Sequence, residues 1–178
     1  MRRKLILLHL VFAGVMAPAF LLLAISGGLY LLGIKGQTTT APVPLPAAAA
    51  LDFDAADIDG EVRAFLSAAG VEHDFEYVKH RGDRLELRPT SRTYLVLAET
   101  PEGLRAERHV PDLQKSMIEL HKGHGPQAFK LYQKVVAVAL IGVVLGGVLV
   151  GLLARSWRRT TIVSVAAGTV VFAMLALL

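Results

Sequence analysis

The sequence predicts a membrane protein in which three transmembrane α-helices carry one small α+β domain. Two observations predict this class. The 178 residues are 53% hydrophobic, and apolar runs long enough to cross a bilayer lie at both ends of the chain. All 15 acidic residues lie between Asp52 and Glu119, where an amphipathic helical pattern is followed by strand-like alternation. This composition excludes a conventional soluble enzyme.

The chain has an acidic centre and basic ends. Residues 51–125 contain ten Lys or Arg against 15 acids, whereas the flanking residues contain nine Lys or Arg and no acid. Basic residues beside apolar runs are explained by anionic lipid head groups and membrane topology, so we expect membrane lipid and not nucleic acid as a partner. The chain has no cysteine. Disulfides, Cys-ligated zinc, iron–sulfur clusters and covalently attached haem are therefore excluded.

The first apolar run, residues 5–34, predicts a membrane helix. Its only strongly polar side chains are His9 and Ser26, and about 20 helical residues cross a ~30 Å hydrocarbon core. A cleaved signal peptide is the alternative, because basic residues lie just before the run in a short N-terminal segment, residues 1–4. The apolar region of a signal peptide is only about 7 to 15 residues long and is closely followed by its cleavage site. We therefore expect a retained helix.

Two further spans are predicted at residues 129–154 and 160–178, with a tight turn at residues 155–159 between them. Cytoplasmic loops are enriched in Lys and Arg. Six such residues lie in the N-terminal segment and the turn, against three on the other side, Lys35, Lys130 and Lys134. We predict that the N-terminus and the turn are cytoplasmic and that the central domain lies outside the cytoplasm.

The second span contains two pairs of glycines at four-residue spacing: Gly142 with Gly146, and Gly147 with Gly151. Small residues at this spacing let helix backbones approach closely. We expect these glycines to pack against the other spans, with residues 26–28 and 166–168 as the matching surfaces. The alternatives are a homo-oligomer interface and the general abundance of glycine in membrane helices.

Residues 35–50 are rich in Thr, Pro and Ala and predict an extended, semi-rigid linker that lifts the domain off the membrane. The domain is predicted at residues 51–122. It opens with an amphipathic helix whose apolar residues begin at Ile58, with Asp54 or Asp57 as its N-cap and Gly70 as its stop.

After Gly70 the apolar spacing changes to alternation. Strands are predicted at residues 71–79, 85–87 and 92–99, with a weaker one at residues 104–110. Pro111 and Asp112 then open a second helix. The domain is therefore predicted to contain a helix, three to four antiparallel strands and a helix.

Several short motifs together resemble one family. The sequence ELHKGHG at residues 119–125 is followed by Lys130, Gln133 and a glycine-rich span, and the first span has His9 near its start and SGG at residues 26–28. With the strand sequences at residues 77–87 and 94–97, these motifs resemble the PepSY-associated transmembrane proteins of bacteria. The resemblance implies a multi-pass protein of the bacterial inner membrane with a periplasmic PepSY-like domain. It also implies a group linked to peptidase regulation and, in larger relatives, to iron uptake and reduction of ferric chelates.

Histidines are the candidate ligands for a cofactor. His9, His121 and His124 are candidates for binding haem b, but His9 lies at the opposite end of its span from the other two, so one chain does not offer a haem two axial ligands. A homodimer would supply a second His9. Glu119, His121 and His124 would suit a metal ion such as iron if the helix continued through Gly123. Glycines and a proline at residues 123–126 instead predict a break, and with it an interfacial hinge. We therefore expect no cofactor and no metal.

No motif for metalloprotease, serine hydrolase, nucleotide or dinucleotide chemistry is present. The predicted function is that of a non-catalytic accessory or regulatory protein, which presents its domain to another membrane or periplasmic protein. Two alternatives stay open. One is a haem- or metal-dependent electron-transfer component of iron uptake, and the other is a membrane-anchored peptidase inhibitor or regulator.

Overall fold

The structure is a computed structural model that describes residues 2–46 and 49–178. In these residues the chain forms five helices and five strands. In chain order they are α1 (Arg2–Leu31), β1 (Thr38–Val43), α2 (Ile58–Ala68), β2 (Tyr77–Arg81), β3 (Arg84–Arg88), β4 (Tyr94–Thr100), β5 (Gly103–Pro111), α3 (Leu113–His121), α4 (Gln127–Leu153) and α5 (Arg158–Leu177). Part of the predicted N-terminal segment, residue 1, and part of the predicted linker, residues 47 and 48, lie outside the described residues.

Three helices are long and apolar enough to cross a membrane. Their qualifying segments are Ile6–Leu31, Gln127–Leu153 and Arg158–Leu177, with mean hydropathies of 2.4, 2.8 and 2.1. They coincide with the three predicted spans. The chain therefore combines three membrane-type helices with a sheet domain, as its composition predicts.

The chain divides into two compact units. One unit contains α1 up to Leu21, α4 from Lys134 onward, and α5; the other is Leu22–Gln133. In the first unit, a Cβ added to Gly147 would lie 3.3 Å from His9 Cε1, and one added to Gly151 would lie 3.2 Å from Thr161 Cβ. These two glycines therefore leave room for the His9 and Thr161 side chains beside α4.

The second unit is built on a five-stranded antiparallel sheet with the order β1-β5-β4-β3-β2. Strands β2 to β5 form a meander, in which each strand pairs with the next. Alternate residues of the strands point to one face, where they pack against two residues of α2, Val62 and Leu66. The fully buried members of this core are Val62, Leu66, Phe75, Leu85, Leu87, Leu95, Leu97 and Ala106.

Local sequence signals set the bounds of the two domain helices. Asp57, and not Asp54, is the N-cap of α2, since its carboxylate accepts a hydrogen bond from Gly60 N at 3.0 Å. The helix ends before Gly70, which has a φ of 66°. Asp112 caps α3 by accepting from Lys115 N at 2.7 Å. These caps agree with the helix starts that the sequence predicts.

The strand count of three to four is wrong, because the linker contributes a fifth strand. Residues 38–43 form β1, which pairs with β5 from Thr38 opposite Pro111 to Val43 opposite Ala106. Pro42 is tolerated there because β1 is an edge strand, where a missing N–H need not break the sheet ladder. Val43 and Leu45 also pack against the core. The proline-rich segment is thus part of the domain and not a spacer.

Candidate functional site

The predicted ligands Glu119 and His124 belong to a polar cluster at the end of α3. The Glu119 side chain is only 9% exposed. Its Oε2 accepts hydrogen bonds from the Thr90 hydroxyl and from His124 Nδ1, each at 2.7 Å. Its Oε1 lies 3.3 Å from Lys115 Nζ and 3.7 Å from Lys122 Nζ. Four donors therefore surround one buried carboxylate.

The cluster extends to the sheet through the loop that follows β3. Arg88 donates to the Thr90 hydroxyl at 3.0 Å and to Glu86 at 2.5 Å. Thr90 N also donates to the His124 backbone carbonyl at 3.1 Å. The result is a continuous chain of hydrogen bonds from Glu86 in β3 to the loop after α3. It fixes that loop on the domain.

The loop after α3 turns because the helix stops, as the glycines and proline predict. Gly123 has a φ of 76°, a conformation that favours glycine. A Cβ on Gly125 would lie 2.7 Å from Leu120 Cδ2, so only glycine fits without a shift. Gln133 of α4 then donates to the Leu120 carbonyl at 2.6 Å. This turn brings His124 back onto Glu119.

The electrostatics of Glu119 follow from these contacts. Burial alone raises the pKa of Glu119, since it penalises the charged form. The hydrogen bonds from His124 and Thr90, together with the charge of Lys115, outweigh burial and lower the pKa to about 2. The carboxylate is therefore ionised at neutral pH and its Oε2 accepts two hydrogen bonds, which suits a structural anchor better than a proton donor.

The third predicted ligand, His121, makes a different contact. Its Nδ1 lies 2.9 Å from the Ser26 hydroxyl oxygen, which is fully buried near the end of α1. That hydroxyl donates to the Leu22 carbonyl at 2.6 Å, so it accepts from His121. Glu119, His121 and His124 are therefore not directed at one point. Among the described residues, no group of three or more His, Asp or Glu is arranged to hold a metal ion.

His9 lies in the other unit, against the glycines of α4. Its Nδ1 is buried and has no hydrogen-bond partner among the described residues. The imidazole borders a groove of about 570 Å³ between α1 and α4, which includes Phe12, Lys134, Gly142 and Gly146. Gly142 has no atom within 4 Å of an added Cβ among the described residues. Gly146 and Gly147 contact α1, Gly151 contacts α5, and Gly142 lies open in this groove.

The predicted matching surfaces for the glycines differ from those observed. Gly27 faces His121 of α3, whose Cε1 would lie 3.3 Å from an added Cβ. Gly28 and Gly168 have no described atom within 4 Å of an added Cβ. In the structure the α4 glycines face His9 and Thr161. A search for small residues at four-residue spacing does not find either of them.

Sequence reasoning also missed residues that the structure places around the candidate ligands. Thr90 and Arg88 were not recognised, because nothing local relates a strand end to a helix 29 residues later. Tyr30 was also missed. Its ring centroid lies 5.2 Å from Lys35 Nζ and 5.9 Å from Lys122 Nζ. Here a signal existed, because aromatic and basic residues at the end of an apolar run mark the membrane interface.

Comparisons of this chain with protein-family models, with curated proteins and with solved structures found no match.

Proposed function

We propose that this protein is a non-catalytic accessory or regulatory protein of the bacterial inner membrane, similar to PepSY-associated transmembrane proteins. In this proposal its sheet domain lies on the periplasmic side and binds another membrane or periplasmic protein. The bonding of the polar cluster supports a non-catalytic role. Glu119 accepts two hydrogen bonds and pairs with two lysines, and the Ser26 hydroxyl donates to a backbone carbonyl. Neither group is free to act as an acid, base or nucleophile.

The observation that carries the proposal is the second face of the sheet. Cross-strand partners share a face, so Lys79, Glu86, Val96 and Glu107 form one row across β2 to β5, opposite the face that packs on α2. The next row contains Arg81, Arg84, Ala98 and Arg105. All four basic residues of these rows are exposed. These two rows therefore present four exposed basic side chains against two carboxylates.

Arg81 and Arg105 each form one ion pair in which the arginine side chain is exposed. Arg81 lies 3.1 Å from Glu86, and Arg105 lies 3.2 Å from Glu102. Exposed pairs of this kind contribute only about 0 to 1 kcal/mol each. A partner with acidic side chains would exchange them for its own carboxylates at little cost. The expected partner surface is consequently acidic.

Site-specific photo-crosslinking tests the proposal. A photoreactive amino acid is introduced at Arg84, on the open face, and in a control at Glu72, an exposed residue outside the strands. In membranes of the native host, the probe at Arg84 is expected to capture a discrete protein that the probe at Glu72 does not. The double charge reversal Arg81→Glu and Arg105→Glu should remove the adduct. No adduct at Arg84, or the same adducts at both positions, would contradict this function.

The haem-dependent alternative has one observation in its favour, the unpaired Nδ1 of His9 beside an open groove. His9 is the only histidine in its unit by sequence, so a haem with two imidazole ligands there would need His9 of a second copy. Absorbance of the purified protein separates the two functions. A Soret band that is lost in His9→Ala would favour electron transfer over the accessory role.

A further inference from the structure

We propose that a groove at the C-terminal end of α1 binds one anionic phospholipid. The groove lies between α1 and α3 and has a volume of about 370 Å³. The residues that form it include Gly27, Tyr30, Leu31, Ile118, His121 and Lys122. The inference does not depend on the proposed function. It requires only that α1 crosses the membrane.

Two lysines lie beside the ring of Tyr30, which lines the groove. The ammonium groups of Lys35 and Lys122 lie within 6 Å of the centroid of one ring, that of Tyr30. Lys122 is partly neutralised by Glu119, whose Oε1 lies 3.7 Å away. Lys35 has no carboxylate within 4 Å among the described residues. A phosphate diester beside Tyr30 would neutralise Lys35 and the part of the Lys122 charge that Glu119 does not offset.

Exposed apolar side chains lie at the end of α1, just before Lys35 in the chain. Leu31 is 87% exposed, and Leu32 and Ile34, which follow it in the chain, are exposed as well. An exposed apolar cluster of this kind marks a contact with lipid or with another protein. It belongs here to the end of a membrane-type helix, where lysine and tyrosine side chains meet head groups. Because the cations and the apolar cluster adjoin, an amphiphile fits where free phosphate would leave the apolar part uncovered.

The floor of the groove is formed where Gly27 of α1 faces His121 of α3. Gly27 has no side chain, and a Cβ there would lie 3.3 Å from His121 Cε1. His121 in turn is oriented by the Ser26 hydroxyl at 2.9 Å. This pairing uses Nδ1 as the donor, which leaves Nε2 of the exposed imidazole as an acceptor for a hydroxyl of a lipid head group. The floor is thus fixed next to a hydrogen-bonding group, with room for the first methylenes of an acyl chain above it.

A fluorescence experiment on the full chain tests the proposal. Trp157 is the only tryptophan, so Trp157→Phe combined with Tyr30→Trp places one indole at the groove and keeps an aromatic ring there. The protein is reconstituted in nanodiscs of phosphatidylcholine. These contain increasing fractions of tail-brominated phosphatidylglycerol or, in parallel, of tail-brominated phosphatidylcholine. Half-maximal quenching is expected at a mole fraction about tenfold lower for the anionic lipid.

Matched variants identify the cations responsible. Lys35→Gln with Lys122→Gln should remove the preference for the anionic lipid, and Lys35→Arg with Lys122→Arg should keep it. Lys79→Gln with Arg84→Gln removes the same charge from the sheet and should leave the preference unchanged. Equal quenching by both lipids, or equal losses in the two neutralised variants, would overturn the proposal. So would loss of the preference in millimolar inorganic phosphate but not in chloride of equal ionic strength, since the groove would then be a site for free phosphate.

Discussion

At the scale of single residues, the feature that organises the candidate site is one buried carboxylate. Glu119 joins the end of α3 to the loop after β3 through Thr90, and to the next loop through His124. A buried charge is costly unless donors surround it. Here two hydrogen-bond donors and two lysine ammonium groups do so. Removing any of them should destabilise the junction between α3 and the two loops.

The first prediction concerns the charge of Glu119. Because its pKa is lowered from 4.5 to about 2, ionised Glu119 stabilises the folded state above pH 4.5, and this stabilisation is lost as the pH falls towards 2. Glu119→Gln is expected to lower the free energy of unfolding by about 2 kcal/mol at pH 7. Denaturant unfolding in detergent, followed by circular dichroism, measures it. The difference from the unsubstituted protein should shrink between pH 4.5 and 2, and a constant difference would contradict the assignment.

The second prediction concerns the hydroxyl of Thr90. Thr90→Val keeps the shape but leaves Glu119 without one donor and Arg88 without one acceptor. Hydrogen bonds to charged groups are worth about 1.5 to 3 kcal/mol, so we expect a loss of about 2 kcal/mol in the same unfolding measurement. Thr90→Ser keeps the hydroxyl and serves as the control. Equal losses in the two variants would show that packing, and not the hydrogen bond, matters at this position.

The sequence indicates only part of this cluster. Glu119 and His124 lie five residues apart, and their proximity follows once the glycines at residues 123 and 125 are taken to turn the chain. The partner of His121 does not follow in the same way. Ser26 lies 95 residues earlier, and no local pattern relates a serine in an apolar helix to a histidine at the end of a polar one.

At the scale of secondary structure elements, α2 and β1 show what local sequence can and cannot predict. The apolar spacing after Ile58, the Asp57 cap and the Gly70 stop are all local, so the bounds of α2 agree with the sequence. The strand β1 exists because β5 is there to pair with it. Its sequence, TTTAPV, alternates weakly and contains a proline, so an extended spacer is what local reasoning predicts. Gly36, with a φ of 67°, lets the chain pass close to the start of α3 before it enters the sheet.

The third prediction concerns the packing of α4. Gly147→Leu places a side chain against His9, and overpacking of this kind costs about 1 to 3 kcal/mol. We expect a lower midpoint of thermal unfolding in detergent. Gly142→Leu is the matched control, because among the described residues no atom lies within 4 Å of a Cβ at that position. If the control is destabilised as much as Gly147→Leu, Gly142 packs against something other than this chain, as in the homo-oligomer alternative.

At the scale of the whole molecule, the sequence predicts the class of protein but not the position of its linker. Composition and apolar run length are sufficient for three membrane-type helices, because both depend only on nearby residues. The number of strands is a property of pairing between distant segments.

The fourth prediction concerns topology and uses the absence of cysteine. Asp83→Cys in the β2–β3 turn and Ser156→Cys in the turn before α5 each give a protein with one thiol. In right-side-out spheroplasts, a membrane-impermeant maleimide is expected to label Asp83→Cys only. Ser156→Cys should react after permeabilisation, because its turn carries the arginines expected in the cytoplasm. Labelling of both in intact spheroplasts, or the reverse pattern, would contradict a domain outside the cytoplasm.

The pairing of β1 with β5 has a consequence for how the domain meets other proteins. Only residues 32–37 separate α1 from β1, and only residues 122–126 separate α3 from α4. At about 3.5 Å per residue, neither connection extends beyond roughly 20 Å. These short connections limit how far the start of β1 can lie from the end of α1, and the start of α4 from the end of α3. If α1 spans the bilayer, we therefore expect proteins that diffuse in the same bilayer to be the domain's most frequent encounters.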